Sequence, residues 1–110
     1  MLIAVNAGNS RVLLGGYEGD EQVFAASIAT DPRQMPEDYA CRVQQVLGLY
    51  GVEAGRIHGA VIGSVVPDMV AVLEAALRLL GVSEVVEVSS GVKTGLNIRA
   101  DVHNQLGSNI

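Results

Sequence analysis

The sequence has few of the residues that build disulfides, metal centres or nucleic-acid interfaces. Its single cysteine, Cys41, excludes an internal disulfide, and only His58 and His103 remain as partners for a zinc site. We interpret Cys41 as a small, half-buried helical residue, and we expect both histidines to be ordinary solvated side chains. The net charge of −5 argues against general affinity for nucleic acid or an anionic membrane. A phosphate ligand would therefore depend on local backbone amides and a few basic residues.

Long apolar runs are also missing. No stretch approaches the roughly 20 apolar residues of a membrane span, and MLIAV lacks the basic leader of a signal peptide. We therefore expect a soluble, cytoplasmic protein with no membrane partner. The chain has 110 residues, of which 49% are hydrophobic and 17% charged. This composition predicts one small folded domain and argues against disorder.

Three strands with short connections are predicted at the start of the chain, over residues 1–5, 11–17 and 22–29. Gly15 and Gly16 interrupt the second strand, which indicates a bulge or a close approach. Asn6 to Ser10 is predicted to form a tight polar turn between the first two strands. Such a series of strands forms an antiparallel meander.

Two helices and two more strands follow. One helix begins at Pro36 and ends at Gly51, with an apolar stripe that contains Tyr39, Val43, Val46, Leu47 and Tyr50. The other begins at Pro67 and ends at Gly81, with a stripe of Val70, Leu73, Leu77 and Leu80. Residues 57–64 and 85–88 are predicted strands.

The predicted element order is β-β-β-α-β-α-β. Antiparallel strands followed by helix-linked strands imply an α/β fold in which helices cover a mixed five-stranded sheet, as in ribonuclease-H-like domains. We assign residues 1–90 to this domain. Residues 91–110 are polar, glycine-bearing and aperiodic, and we interpret them as a loop that leads into a missing second domain.

Three motifs carry a resemblance to a known family. NAGNS begins at Asn6 where the family has D-x-G-N-T/S, GSVVP begins at Gly63 where it has S-S-V-V-P, and GVKTGLNIR begins at Gly91 and matches without a gap. With these motifs the chain resembles the N-terminal half of type III pantothenate kinase, within the actin and sugar-kinase superfamily. The resemblance covers essentially the whole chain but only about half of a family member.

The resemblance implies an activity and its cofactors. Family members phosphorylate pantothenate with ATP in the first step of coenzyme A synthesis, and they are dimers that use Mg²⁺ and a monovalent cation, K⁺ or NH₄⁺. It also implies a partner, because superfamily kinases bind nucleotide between two domains. We therefore expect a homo- or hetero-oligomer in which another chain supplies the second domain.

Four functional positions depart from the family pattern. Asn6 replaces an Asp that helps to hold the metal, and Ala100 replaces a Tyr. Asn109 stands at the position of the proposed catalytic base, and Ile110 at that of an Arg. An amide cannot accept a proton near neutral pH, and general-base help is typically worth about 10²–10⁴-fold. We therefore expect the chain to be nearly inactive alone.

The first motif still suits a phosphate. Gly8 allows close approach of the backbone, and Asn9 and Ser10 add donors to the amides of the turn. The alternative is a plain hairpin turn, in which the same residue types are common. Asn6 is either a weak metal ligand or, as we favour, a buried polar residue that satisfies the turn amides.

The last motif and the residues after it contain the positions that we expect to contact the substrate. Lys93 and Arg99 are basic residues that could meet an anion, although a turn-stabilising role or an Arg99–Asp101 pair is the alternative. By family position, the expected substrate residues are Lys93, Thr94, Gly95, Arg99, Ala100 and Gly107.

Three functional hypotheses remain open. The chain is one half of a split or multi-chain pantothenate kinase, or a non-catalytic pseudokinase module that binds a partner chain. The third hypothesis is a truncated fragment of a full-length kinase.

Overall fold

The structure is a computed structural model that describes residues 1–31 and 33–88. Five strands form one mixed sheet in the order β3-β2-β1-β4-β5. β1 is antiparallel to β2, which is antiparallel to β3, whereas β1, β4 and β5 are parallel to one another. The elements are β1 (Leu2–Ala7), β2 (Arg11–Glu18), β3 (Glu21–Ala29), α1 (Pro36–Leu49), a 3₁₀ turn (Ala54–Arg56), β4 (Gly59–Ser64), α2 (Pro67–Leu79) and β5 (Glu84–Glu87).

The element order confirms the predicted β-β-β-α-β-α-β pattern, but β1 is longer than expected. The strand continues through Asn6 and Ala7, which were placed in the turn. These residues pair with Leu13 and Val12 on one side and with Gly63 and Ser64 on the other. Pairing on both sides outweighs the turn preference of asparagine, which is a local property.

The helices begin and end where the sequence predicts. Pro36 starts α1, and the Asp38 carboxylate accepts a hydrogen bond of 2.9 Å from the Met35 amide. Gly51 and Gly81 follow the two helices with φ angles of +71° and +96°, which glycine adopts without steric cost. Among residues 1–31 and 33–88, no helix is both long and apolar enough to cross a membrane.

Both helices bury side chains in the same core cluster, which confirms that they cover one face of the sheet. The α2 stripe is shifted from its predicted position, because Val70 and Leu80 are only partly buried. The α1 stripe also ends earlier than predicted, because Tyr50 is 49% exposed. The fully buried helical residues are Tyr39, Ala40, Val43 and Leu47 of α1 and Met69, Leu73, Ala76 and Leu77 of α2.

The second face of the sheet carries a smaller apolar cluster built on Ala4, Val61 and Val88. Over β2 and β3 this face is open, since Leu13 and Val23 are 52% and 41% exposed. The sheet is therefore covered unevenly on its two sides by the described residues.

One single-residue expectation was wrong and another was confirmed. Cys41 lies on α1 as predicted but is exposed rather than half-buried. His58 is exposed as predicted, and its Nδ1 lies 3.1 Å from the N-terminal nitrogen of Met1. The exposure of Cys41 and the His58 contact both depend on how distant segments pack, which local sequence does not determine.

Candidate functional site

The first motif lies at the edge of the sheet where β1 and β4 both end. The loop from Gly8 to Ser10 joins β1 to β2, and the Val65 amide donates to the Ala7 carbonyl at 3.1 Å. β1 is the strand at which the sheet changes from antiparallel to parallel pairing. In open α/β sheets, ligands bind outside the carboxyl ends of strands, at such topological switch points.

The turn itself is closed by one backbone hydrogen bond, from the Gly8 amide to the Arg11 carbonyl at 2.8 Å. A Cβ atom at Gly8 would lie 3.2 Å from that carbonyl oxygen, so a larger residue would strain the turn. Asn9 and Ser10 are exposed, and their backbone amides donate to no other described residue. Two adjacent amides of exposed residues thus have no acceptor among the described residues and are available to an anion.

The carbonyl groups of the loop are engaged by Thr30, the residue after β3. Its hydroxyl donates to the Gly8 carbonyl at 3.0 Å, and its amide donates to the Ser10 carbonyl at 2.9 Å. The two carbonyl oxygens therefore have donors on the protein side. This leaves a loop whose outer surface offers amide and side-chain donors.

Asn6 lies one residue before the end of β1. It pairs with Leu13 and Gly63 and is half-buried. A Cβ at Gly63 would be 3.8 Å from Asn6 Oδ1 and 3.3 Å from Val88 Cγ2, so Asn6 faces the second side of the sheet. No hydrogen bond joins its side chain to another described residue, so the expectation that it satisfies the turn amides is wrong.

Beside Asn6 lies a cavity of about 220 Å³, lined by Ala4, Leu13, Gly15 and neighbouring residues of β2 and β3. Its lining is mainly apolar, and Asn6 and Gln22 are the only residues with polar side chains in it. Gln22 also donates a hydrogen bond of 3.4 Å to the Tyr17 hydroxyl. The cavity extends the candidate site from the loop onto the open face of the sheet.

A metal centre fits these residues less well than a phosphate does. Within the described part of the chain, no group of three or more histidine, cysteine, aspartate or glutamate residues lies close enough to hold an ion. Asn6 offers a neutral oxygen, whereas hard cations favour carboxylates. The donor set of the loop therefore fits an anion.

The second motif has a structural role at the start of α2. The Ser64 hydroxyl donates to the Val66 carbonyl at 2.6 Å and accepts from the Val66 amide at 2.8 Å. Both its donor and its acceptor are satisfied within this turn. The first and second motifs nevertheless meet at the sheet, because Ala7 and Ser64 are paired.

Thr30 and Arg11 also contribute to the site, although no local sequence motif predicts this. Arg11 directly follows the loop, and its guanidinium donates three hydrogen bonds of 2.9–3.3 Å to the hydroxyl and carbonyl of Ser27 on β3. Both contacts join residues at least 16 positions apart, so local pattern could not reveal them.

The remaining predicted site residues lie outside the described residues. Their roles stay predictions, and they are Lys93, Thr94, Gly95, Arg99, Ala100, Gly107 and Asn109.

Comparison with known proteins gives a family match along the chain. The profile of the type III pantothenate kinase family matches residues 2–110. A type III pantothenate kinase of Brevibacillus brevis is 32% identical over 108 residues, and one of Bifidobacterium longum subsp. infantis is 37% identical over 109. Each comparison covers 98% of this chain but only 42% of the relative. The chain thus spans less than half the length of the curated relatives it matches.

Solved structures give the fold. A Porphyromonas gingivalis protein assigned as an N-acetylglucosamine kinase superposes with a TM-score of 0.61 at 12% identity, over 82% of this chain and 34% of that one. Thermus thermophilus RuvC superposes with a TM-score of 0.52 at 16% identity, over 96% and 78%. Both have ribonuclease-H-like folds, which confirms the predicted fold class.

Proposed function

The chain belongs to the type III pantothenate kinase family, and we propose that it supplies the phosphate-binding half of an ATP-dependent pantothenate kinase. The observation that supports this most is that the backbone amides of the exposed residues Asn9 and Ser10, at the carboxyl edge of β1, have no acceptor among the described residues. Backbone donors fixed in a turn can bind the terminal phosphates of ATP without reorganisation. In this proposal the product is 4′-phosphopantothenate, the first intermediate of coenzyme A synthesis.

In this proposal, each residue of the loop contributes to phosphate binding. Gly8 permits close approach of the phosphate, and the amides of Asn9 and Ser10 bind its oxygens. The Ser10 hydroxyl and the Asn9 carboxamide add donors at the exposed surface of the turn. Phosphoryl transfer depends largely on positioning and electrostatic stabilisation, so donors of this kind contribute to the reaction directly.

The proposed kinase needs more than the described residues. The curated relatives are more than twice as long as the segment that this chain matches. In the proposal, the complementary part comes from a second chain or from further residues of a longer polypeptide. It would supply the second wall of the nucleotide cleft. Because Asn109 cannot remove a proton, we expect turnover to be about 10²–10⁴-fold slower than with the base of the family.

The Asn6 geometry favours a second candidate, a pseudokinase module that binds nucleotide weakly and acts through a partner chain. Asn6 lies at the position of the family's metal-holding Asp, two residues before Gly8, and it lacks the negative charge of that residue. Weaker Mg²⁺ affinity follows, because hard cations favour charged oxygen ligands.

A phosphorylation assay distinguishes the two candidates. The 110-residue chain is incubated with ATP, Mg²⁺, K⁺ and pantothenate, alone and together with the part of the Brevibacillus brevis relative that lies beyond the matched segment. We expect 4′-phosphopantothenate to form only in the mixture. The matched control replaces the chain by a Gly8→Val variant, whose side chain would strain the turn.

Two other outcomes of this assay would argue against the split kinase. A complex that binds ATP but gives no product supports the pseudokinase. Turnover by the chain alone would show that the Asn6 and Asn109 substitutions matter less than we propose.

A further inference from the structure

Thr30 forms two hydrogen bonds to the candidate phosphate loop from outside it. A two-residue hairpin turn normally has a reciprocal pair of backbone hydrogen bonds between the residues that flank it. Here the Gly8 amide donates to Arg11, but the Gly8 carbonyl accepts from Thr30 Oγ1 at 3.0 Å. The Thr30 amide also binds the Ser10 carbonyl at 2.9 Å. A residue 20 positions away in sequence thus contacts both ends of the loop.

Thr30 is itself held from the core. The next residue, Asp31, donates its amide to the Tyr39 hydroxyl at 2.8 Å, and its carbonyl accepts from the same hydroxyl at 2.7 Å. Tyr39 lies in the first turns of α1 and is fully buried. Thr30 is therefore held close to α1 through its neighbour Asp31. A residue held in this way can orient the loop that it contacts.

We infer that Thr30 is a positioning residue for phosphate binding, whose hydroxyl holds the Gly8 carbonyl inward so that the Asn9 and Ser10 amides face the ligand. This inference rests on the proposed function. Without the hydroxyl, the part-buried Gly8 carbonyl would lose its donor and the peptide unit from Gly8 to Asn9 could rotate. Such a rotation would turn the Asn9 amide away from the phosphate.

The test compares three variants of the full chain. Thr30→Val keeps the shape and the backbone amide but removes the hydroxyl, whereas Thr30→Ser retains the hydroxyl. Ser83→Ala is the matched control. It also removes a hydroxyl, which donates a hydrogen bond of 3.2 Å to the His58 carbonyl at the opposite end of the sheet. Affinities for ATP and for inorganic pyrophosphate are measured by titration calorimetry, and the Asn9 and Ser10 amides are followed by ¹⁵N NMR.

We expect Thr30→Val to weaken binding of both ligands by about 3- to 10-fold, the range of one lost hydrogen bond. Its free Asn9 and Ser10 amide signals should shift, and Thr30→Ser should restore both signals and affinity. Ser83→Ala should bind like the wild type. Loss of affinity with unmoved loop amides would overturn the inference, because the hydroxyl would not be acting through the loop.

The inference and the proposed function fail in different ways. Equal affinities of Thr30→Val and wild type would overturn the role of Thr30 and leave the phosphate loop intact. Absence of ATP and pyrophosphate binding by the wild-type chain would overturn both.

Discussion

Asn6 and the family aspartate have nearly the same shape, and what distinguishes them is charge. Asn6 is half-buried between Leu13 and Gly63, and its side chain has no hydrogen-bond partner among the described residues. A neutral amide is tolerated there, whereas a carboxylate would carry a desolvation penalty unless a cation offset it. In the proposed kinase, we expect the residue at this position to determine how strongly nucleotide binding depends on Mg²⁺.

Asn6→Asp should raise the affinity for ATP in the presence of Mg²⁺ by roughly tenfold, the scale of one charge-assisted contact. With EDTA the same variant should bind ATP no better than the wild type, because the carboxylate then repels the phosphates. Calorimetric titrations with and without Mg²⁺ measure both effects, with Asn6→Ala as the uncharged control. Equal gains in both conditions would show that Asp at this position does not act through the metal.

Glu18 provides a pH-dependent contribution to stability away from the loop. Its carboxylate lies 3.1 Å from the N-terminal ammonium of Met1 and 3.6 Å from the Arg56 guanidinium. The hydrogen bond and charge of the N-terminal ammonium lower the Glu18 pKa below its ordinary value of 4.5, and Arg56 adds a smaller effect. Because the folded pKa is lowered, this contribution is present above pH 4.5 and is lost as the pH falls through the folded pKa.

Glu18→Gln should therefore lower the midpoint of thermal unfolding at pH 7, and its difference from the wild type should disappear in acid. Glu18 is solvent-exposed, so the effect is small and decreases with added salt. Circular dichroism melts between pH 3 and pH 7 follow it. Glu53→Gln is the control, because Glu53 has no ion pair among the described residues. A difference that persists at pH 3 would contradict this electrostatic explanation.

Among single residues, sequence identified those whose role is local. Gly8, Asn9 and Ser10 do form the predicted turn, because small and polar residues favour turns wherever they occur. Thr30 could not be identified in this way, because its hydroxyl reaches Gly8 only after β3 has paired with β2. The polar stretch beginning with Thr30 indicated a break between elements and nothing about its partner.

At the scale of single elements, β2 contains a glycine that a bulky neighbour requires. Gly16 is paired with Phe24 on β3, and the register shifts between Gly16 and Tyr17. A Cβ at Gly16 would collide with Phe24 Cε2 and lie 2.7 Å from its Cδ2. The glycine pair in the sequence predicts a bulge or a close approach, and the structure contains both.

Gly16→Ala should destabilise the protein by about 1–3 kcal/mol, because the buried Phe24 ring must move within a packed core. Gly15→Ala is the matched control, since its Cβ would meet the ends of Gln22 and Tyr17 at 3.3 Å. These side chains can move, so the expected change is within about 0.5 kcal/mol. Urea unfolding curves measure both variants. Similar stability losses would refute the close packing at Gly16.

β3 forms one edge of the sheet, and two side chains donate hydrogen bonds to carbonyl groups along this edge. The Tyr50 hydroxyl donates a hydrogen bond of 3.1 Å to the Ala25 carbonyl, and the Arg11 guanidinium donates one of 3.0 Å to the Ser27 carbonyl. Tyr50 is held there by its stacked contact with the Phe24 ring, at a centroid distance of 5.3 Å. Engaged edge carbonyls are less available for pairing with another chain. Tyr50 remains 49% exposed despite this contact, so its expected place in the buried α1 stripe was wrong.

For the whole molecule, the sequence pattern determined the fold class but not the extent of coverage. Alternation, caps and breakers identified every strand and both helices, since each leaves a local signal. Short connections predicted the antiparallel pairing of the first three strands. They could not predict that β1 pairs with β4 or continues through Asn6, because that pairing joins distant segments. The family motifs connected this order to a kinase, and the family profile confirmed the membership.

The central claim is that the loop from Gly8 to Ser10 binds the phosphates of ATP. Titration of ATP into the ¹⁵N-labelled chain tests it most directly, because each backbone amide reports separately. We predict saturable shifts at Asn9 and Ser10, reproduced by pyrophosphate and not by adenosine. The result that would contradict the account is saturable binding that leaves these amides unmoved and shifts those beside the cavity between β3 and α1, near Arg42 and Gln45.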